Sequence, residues 1–446
     1  MTSRIAIATA LAAGLGVGTP AAAQSTGSEA AQLRAEIDSL RSRLDDLEAR
    51  QEGEGSVVAE RSDRGVRLTV AGRVNQALLY AEQGDQDQAF VIDNDASGSR
   101  FELLAETTLG DLTTGVEIVV SAEVNSTDAI DFSSNQEAAD EDSDLGDFRQ
   151  AHWFVEGERF GYLSIGQGDT AAEDTAHADL SGTDFAGSGS DVDDIAGGLQ
   201  FSSGDVTTAD GSLLEDDDDD ELDDFFDMQD GSRALRLLYV TPEFNGFALK
   251  ASLQNDEESL EGRDGDGDEG GLTVAIGAQY EGELANGIEI AAEASWRQDQ
   301  VTEIAEDGSE EEIDERFVVG SASILLPSGL NFTVAGSRGD VDGAQDDPTA
   351  AFAKIGYITD RFTSLGETRF SLDYFRGRNN DAFAAPDGDL PTAQSIGLFA
   401  VQELRDLNTE LYVGARRYEV DDVFVDGSEV DVDDLTAVLA GARVRF

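Results

Sequence analysis

Residues 287–297 read GIEIAAEASWR, and residues 435–446, which end the chain, read LTAVLAGARVRF. In the first stretch Ile288, Ile290, Ala292, Ala294 and Trp296 alternate with Glu289, Ala291, Glu293, Ser295 and Arg297. In the second, Val438, Ala440, Ala442, Val444 and Phe446 share one phase, with Arg443 and Arg445 on the other. VRLTVAGRV at 66–74 repeats the pattern, setting Val66, Leu68, Val70 and Val74 against Arg67, Thr69 and Arg73. Side chains of a strand point to alternate faces, so each stretch has one apolar and one polar face. Segments of about ten residues patterned in this way suit a transmembrane barrel with lipid outside and water inside.

Sixteen such segments follow one another from Val66 to Phe446. Their connections alternate in length. Long acidic ones (81–98, 126–147, 169–231, 255–270, 298–314, 339–350, 377–393, 419–434) interleave with turns such as Gly110-Asp111, Glu158-Arg159 and Pro327-Ser328. An even-stranded barrel with both ends periplasmic has this rhythm. Closure follows from the medium, because every backbone N–H and C=O in lipid must be paired within the protein. The predicted fold is all-β, a sixteen-stranded antiparallel transmembrane β-barrel over 66–446. Tyr80, Trp153, Tyr239, Trp296, Tyr357 and Tyr374 lie near strand ends, where interfacial aromatic girdles belong.

The chain has 446 residues. Arg4, the apolar run Ile5 to Val17 and Ala21-Ala22-Ala23 read as a cleaved secretory signal over 1–23. In the segment 24–51, Leu33, Ile37, Leu40, Leu44 and Leu47 make an a/d seam, which predicts a short periplasmic coiled-coil helix. An isolated amphipathic helix is the alternative, since so few heptads hold weakly by themselves. Residues 52–65 form a linker containing Glu52-Gly53-Glu54-Gly55-Ser56. No later apolar run is long enough for a membrane helix.

Lys+Arg of 29 against Asp+Glu of 94 gives a formal charge of −65, which argues against nucleic-acid binding. The chain lacks cysteine, so disulfides and thiolate metal sites are excluded. Asp264-Gly265-Asp266-Gly267-Asp268 departs from the calcium-loop pattern at Glu269 and Ala275, and no metal ligand is assigned. His152 and His177 have no G-x-S-x-G elbow beside them, and a solvated wall or loop histidine suits each better than a catalytic base. No catalysis and no cofactor are expected.

LTVAGRVNQALLY (68–80), SRFELLAETTLGDLTTGVEIVVSAE (99–123), FRQAHWFVEGERFGYLSIGQGDT (148–170) and RLLYVTPEFNGFALKASLQ (236–254) resemble strands of the general Gram-negative porins. The likeness is greatest to the alpha- and betaproteobacterial branch, and Phe446 is similar to that family's terminal assembly signal, read by the barrel-assembly machinery. The resemblance implies an outer-membrane homotrimer of sixteen-stranded barrels, surrounded by outer-membrane lipids. Its third long loop, here within 169–231, would fold into the pore, and small hydrophilic solutes and ions would diffuse through passively. Gln167 stands where family members often carry Arg.

The loop 169–231 is densely acidic and holds neither Lys nor Arg. Its proximal part, Asp169, Glu173, Asp174, Asp179 and Asp184, is expected to line the pore, while Glu215 to Glu221 reads as a solvated run. Strand phase puts Arg73, Arg100, Arg236, Arg297 and Arg416 on the water face. Acidic groups opposite these arginines predict moderate cation selectivity. The rival readings are a substrate-specific channel, a structural barrel anchor or adhesin that grips the cell wall, and a barrel hydrolase.

Overall fold

The computed structural model describes residues 57–61, 65–132, 146–203, 221–255, 271–304, 310–386, 388–425 and 427–446. The expected signal, the coiled coil and most of the linker lie outside them, as do Glu215 to Asp220 and Asp264 to Asp268.

The strands are β1 (Val66–Gln83), β2 (Arg100–Leu109), β3 (Leu112–Ser121), β4 (Phe148–Gly157), β5 (Gly161–Asp169) and β6 (Arg233–Val240). There follow β7 (Phe247–Asn255), β8 (Leu272–Glu283), β9 (Glu289–Ile304), β10 (Glu310–Leu325) and β11 (Leu330–Val341). The last five are β12 (Thr349–Thr359), β13 (Thr368–Arg378), β14 (Thr392–Leu404), β15 (Thr409–Asp421) and β16 (Leu435–Arg445). Each pairs antiparallel with the next, and β16 pairs back onto β1 from Arg73↔Arg445 to Gln83↔Leu435. The sheet has 18 strands, of which two add to β1 instead of extending the ring. One is Gln86–Asp93, which returns along the upper part of β1. The other is Val57–Arg61, paired with Val66 to Val70 on the β16 edge, over the length that β16 does not reach. Sixteen strands therefore close the barrel.

Period-2 patterning fixes which face is which. Along β1, Val70, Val74, Leu78 and Tyr80 are exposed on the outer face, whereas Asn75, Ala77, Leu79 and Ala81 are buried inside. Trp153, Tyr239, Tyr357 and Tyr374 are likewise exposed outside. A one-residue slip would put every one of these on the wrong face, so the register is tightly specified. Two of the expected long connections contain more strand than the sequence suggests. β1 continues to Gln83 and turns straight back, and β9 and β10 run to Ile304 and from Glu310.

The closing seam is finished by the last residue. Phe446 and Gly72 exchange two backbone hydrogen bonds, of 2.8 and 3.0 Å. The Phe446 ring packs edge-on against Phe101, with centroids 5.9 Å apart. A Cβ at Gly72 would lie 2.7 Å from that ring, so the missing side chain is what lets the ring dock.

The interior is less polar than alternation alone predicts. Leu79, Ala81, Phe375, Phe399, Tyr418, Leu435 and Leu439 all face inward and are buried. They join one cluster with Phe185, Val192, Ile195, Leu199, Phe201, Leu222, Phe225 and Phe226 from the connection between β5 and β6. That connection includes α1 (Leu222–Phe226), which begins with a capping box between Glu221 and Asp224. Each fully buried Phe, Leu or Ile contributes ~1.5–3 kcal/mol. An acidic loop is thus held inside a barrel by its apolar minority.

Candidate pore and its loop

From β5 the loop travels along the inner wall, tied by its backbone at each step. The Ala171 N–H donates to Ser252 Oγ of β7 (2.9 Å), and Ala178 and Leu180 donate to Ser321 and Ser323 of β10 (3.0 Å each). Gly187 O accepts from Arg416 of β15 (2.8 Å), Val192 O accepts from Tyr418 Oη (2.6 Å), and Phe185 O accepts from Asn75 of β1 (3.4 Å). Small inward serines on β10 are what allow the loop backbone to lie so close.

The sequence-predicted acids separate into covered and open groups. Asp179 is sealed against Lys354 of β12 at 2.7 Å and accepts from Thr333 at 2.7 Å. Burial alone would raise its carboxyl, but the Lys354 ammonium and the Ser181 and Thr333 donors outweigh that and hold it below the ordinary value. Glu173 is buried and pairs with Arg233 at 3.1 Å. The two oxygens of Asp169 take the Gln150 amide at 2.9 and 3.0 Å. Asp174 and Asp184 are exposed, Asp174 with a φ of 58° and Asp184 at the start of the 3-10 turn Asp184–Ala186.

The arginines separate in the same way. Arg416 is fully buried beneath the loop, 2.7 Å from Asp373 and 2.9 Å from Ser395 Oγ. Ser188 Oγ donates to the other oxygen of Asp373 at 2.6 Å, completing a latch between loop and wall. Buried ion pairs of this kind fix position more than they add stability. Arg236 spends its donors on the carbonyls of Asp169 (2.9 Å) and Gly166 (3.0 Å). It lies over Gly168, where a Cβ would come within 2.8 Å of its Nη2, which favours a glycine at this point of β5. Arg297 pairs with Asp299 at 2.7 Å, bonds the Asp230 carbonyl, and covers the Phe317 ring at 4.6 Å. Arg100 pairs with Glu102 at 3.1 Å. Arg73 is half-buried, donates to Gly98 O at 3.2 Å, and stands opposite both Arg100 and Arg445 in register.

Several participants were not singled out by sequence reasoning. Lys354, Asp373 and Ser188 of the latch were missed because their partners are far apart in the chain. Arg443, paired with Glu410 at 2.8 Å and stacked 3.5 Å from the Phe185 ring, carries a readable signal: it is an inward-phase arginine near the seam. His152 bonds Tyr162 Oη at 2.9 Å and lies 3.7 Å from Glu117. Among the described residues no cluster of His, Asp and Glu is arranged to hold a metal.

No curated protein matches the chain by sequence. Among solved structures, an anion-selective porin from Comamonas acidovorans superposes with a TM-score of 0.54 at 16% identity, over 85% of this chain and 100% of that one. OmpF of Salmonella typhi, in complex with daunomycin, gives 0.52 at 14% identity, over 87% and 100%. OprB of Pseudomonas putida gives 0.52 at 12%, over 86% and 95%. These likenesses establish the shared barrel. A family model described as Gram-negative porin matches residues 8–423, from before the first strand into the last long connection. With that match over nearly its whole length, the chain belongs to the Gram-negative porin family.

Proposed function

We propose that the protein is a water-filled outer-membrane channel for passive diffusion of small hydrophilic solutes and ions, with a moderate preference for cations. The observation that carries the preference is the loop folded inside the barrel with Asp174 and Asp184 exposed, while several wall arginines are already neutralised. Arg416 has Asp373, Arg297 has Asp299 and Arg100 has Glu102. Acidic groups in a narrow aqueous passage raise the local cation concentration. Half-buried Arg73 opposes them and keeps the preference moderate. The neighbour named as anion-selective shares the fold at 16% identity, so the sign rests on this chain's own charges.

The same reading includes a homotrimer, with residues 24–51 as a periplasmic coiled coil that reinforces it. No catalytic group is assigned. Reversal potentials across a planar bilayer under a KCl gradient test the proposal. The expected result is a potential of cation-selective sign that shrinks as salt rises, since the screening length is only ~8 Å at physiological ionic strength. A chloride-selective potential would refute it.

A further inference from the structure

One loop residue touches three parts of its own loop. His177 follows Asp174 on the outgoing arm and donates its backbone N–H to the Asp174 carbonyl at 3.1 Å. Its Nε2 lies 2.8 Å from Asp191, where the excursion begun at His177 comes back, and 3.8 Å from Asp230 on the arm returning to β6. The arms meet by backbone as well. Gly231 N–H donates to Ala172 O at 3.1 Å, and Ala176 N–H donates to the Asp230 carboxylate at 3.3 Å. Among the described residues, His177 is the one basic side chain within ion-pair distance of both Asp191 and Asp230.

We propose that His177 is the positioning residue of the pore loop, its imidazolium clasping Asp191 to Asp230 and so fixing the lobe 177–191 inside the barrel. The inference rests on the channel reading, and it assigns a role to a residue that the latch and the apolar cluster do not use. That lobe carries Asp179 and Asp184, so its position sets where the loop's charge stands in the passage.

The charged groups around the ring decide its state. Asp174 comes from its own arm, Asp191 and Asp194 from the far side of the lobe, and Asp230 from the returning arm. The nearby wall cations are engaged elsewhere, Arg233 with Glu173, Lys250 with Glu293 and Arg297 with Asp299. Burial works against the charged ring, but Asp191 and its hydrogen bond, then Asp230 and Asp174, outweigh it and hold the imidazole well above its ordinary value. A group raised on folding contributes fully below its unfolded pKa and loses that contribution as pH climbs through the folded one. Burial first, and Asp191 second, push the Asp230 carboxyl up to about 8. At neutral pH the charged ring and the protons held within this group therefore keep the arms together. The clasp opens in alkali, when Asp191 and Asp230 are both charged across a neutral ring.

The test uses the full-length protein in planar bilayers between pH 6 and 10, paired with hydrogen exchange of the 178–190 amides in detergent. Wild type should give quiet open-channel current at pH 7 and frequent closures in alkali. His177→Gln should close frequently at every pH and lose roughly tenfold of exchange protection at pH 7, the equivalent of one pKa unit of charge interaction. His177→Arg, charged throughout, should abolish the alkaline transition, and so should Asp191→Asn with Asp230→Asn, which removes the repulsion. A His177→Gln channel as quiet as wild type, with unchanged protection, overturns the proposal. A fold lost in His177→Gln leaves the Arg variant and the Asp pair to decide, because an alkaline transition that persists in both overturns it equally. Absence of wild-type conductance would count against the channel reading, while the exchange data would still judge the clasp.

Discussion

The Nζ of Lys354 stands 2.7 Å from Oδ2 of Asp179, with the lysine side chain wholly shielded and the aspartate side chain 6% exposed. Lys354 is one of two lysines in the chain, and it also bonds the Ser188 carbonyl. One ammonium therefore ties two separate points of the pore loop to β12. Removing one member of a buried pair costs ~3–5 kcal/mol, because the other charge is left uncompensated. Lys354→Met should lower the thermal unfolding midpoint in detergent. Adding Asp179→Leu to it should recover much of the loss. A double variant no better than the single one would mean that the pair is not an energetic unit.

Phe446 is predicted to be an assembly signal as well as a packing residue. Deleting it empties the notch at Gly72 and removes both backbone bonds at the foot of the seam. The amount of barrel in the outer membrane should fall, with induction of the periplasmic stress response. Gly72→Val, which fills the notch, should reproduce part of the defect. Normal membrane levels of the deletion at native expression would refute the assignment.

Selectivity should follow exposure. Asp174→Asn with Asp184→Asn should move the reversal potential toward anion preference. Asp179→Asn should move it less than either exposed substitution, since its charge is already matched by Lys354. Deleting Glu215 to Asp220, which leaves the Glu221 cap of α1 in place, should matter less than the exposed pair. Equal shifts from covered and exposed acids would show that the loop's net charge, and not its geometry, sets the filter.

Asp95, in the first long connection, accepts from Ser126 Oγ at 2.6 Å and from Thr127 N–H at 2.7 Å. Burial first, and Asp128 second, push its carboxyl well above the ordinary range. The folded state therefore favours the protonated acid, and that contribution is lost as pH rises from the carboxylate range through neutrality. Asp95→Asn, which cannot titrate, should match wild type near pH 4 and be the more stable at pH 9. Unfolding midpoints across that range give the answer, and parallel curves would exclude Asp95 as a source of pH dependence.

The coiled coil proposed for residues 24–51 offers a separate test of the proposed trimer. Leu40→Asp with Leu44→Asp should lower the temperature at which trimers dissociate on semi-native gels and leave conductance intact. A double variant that dissociates like wild type would show that the seam is no oligomer contact.

The barrel was legible because a two-residue period survives in every strand, and the inward phase of Arg73, Arg100, Arg236, Arg297 and Arg416 could be read from it. Which of these would remain open to water could not. Coverage depends on the apolar residues of the loop, and Phe185, Ile195 and Phe201 are scattered among aspartates. Their partners Leu79, Phe375, Phe399 and Leu439 look like lapses in a polar face until the loop lies over them. LDDFFDM at 222–228, an apolar cluster within an acidic stretch, was the available clue. The His177 clasp had no local signal, because Asp191 and Asp230 reach it only through the fold.

The pairing of Arg73 with Arg445 also sets an order in time. The first barrel strand leaves the ribosome early, and the strand that must cover its free edge is made last. Until then both edges of the growing sheet are open templates for any other chain. Pairings between such distant parts of a sequence also pay their loop-closure cost before contacts repay it. The polypeptide must therefore be delivered to the membrane complete and still unclosed, with its two ends held apart from rivals until they meet.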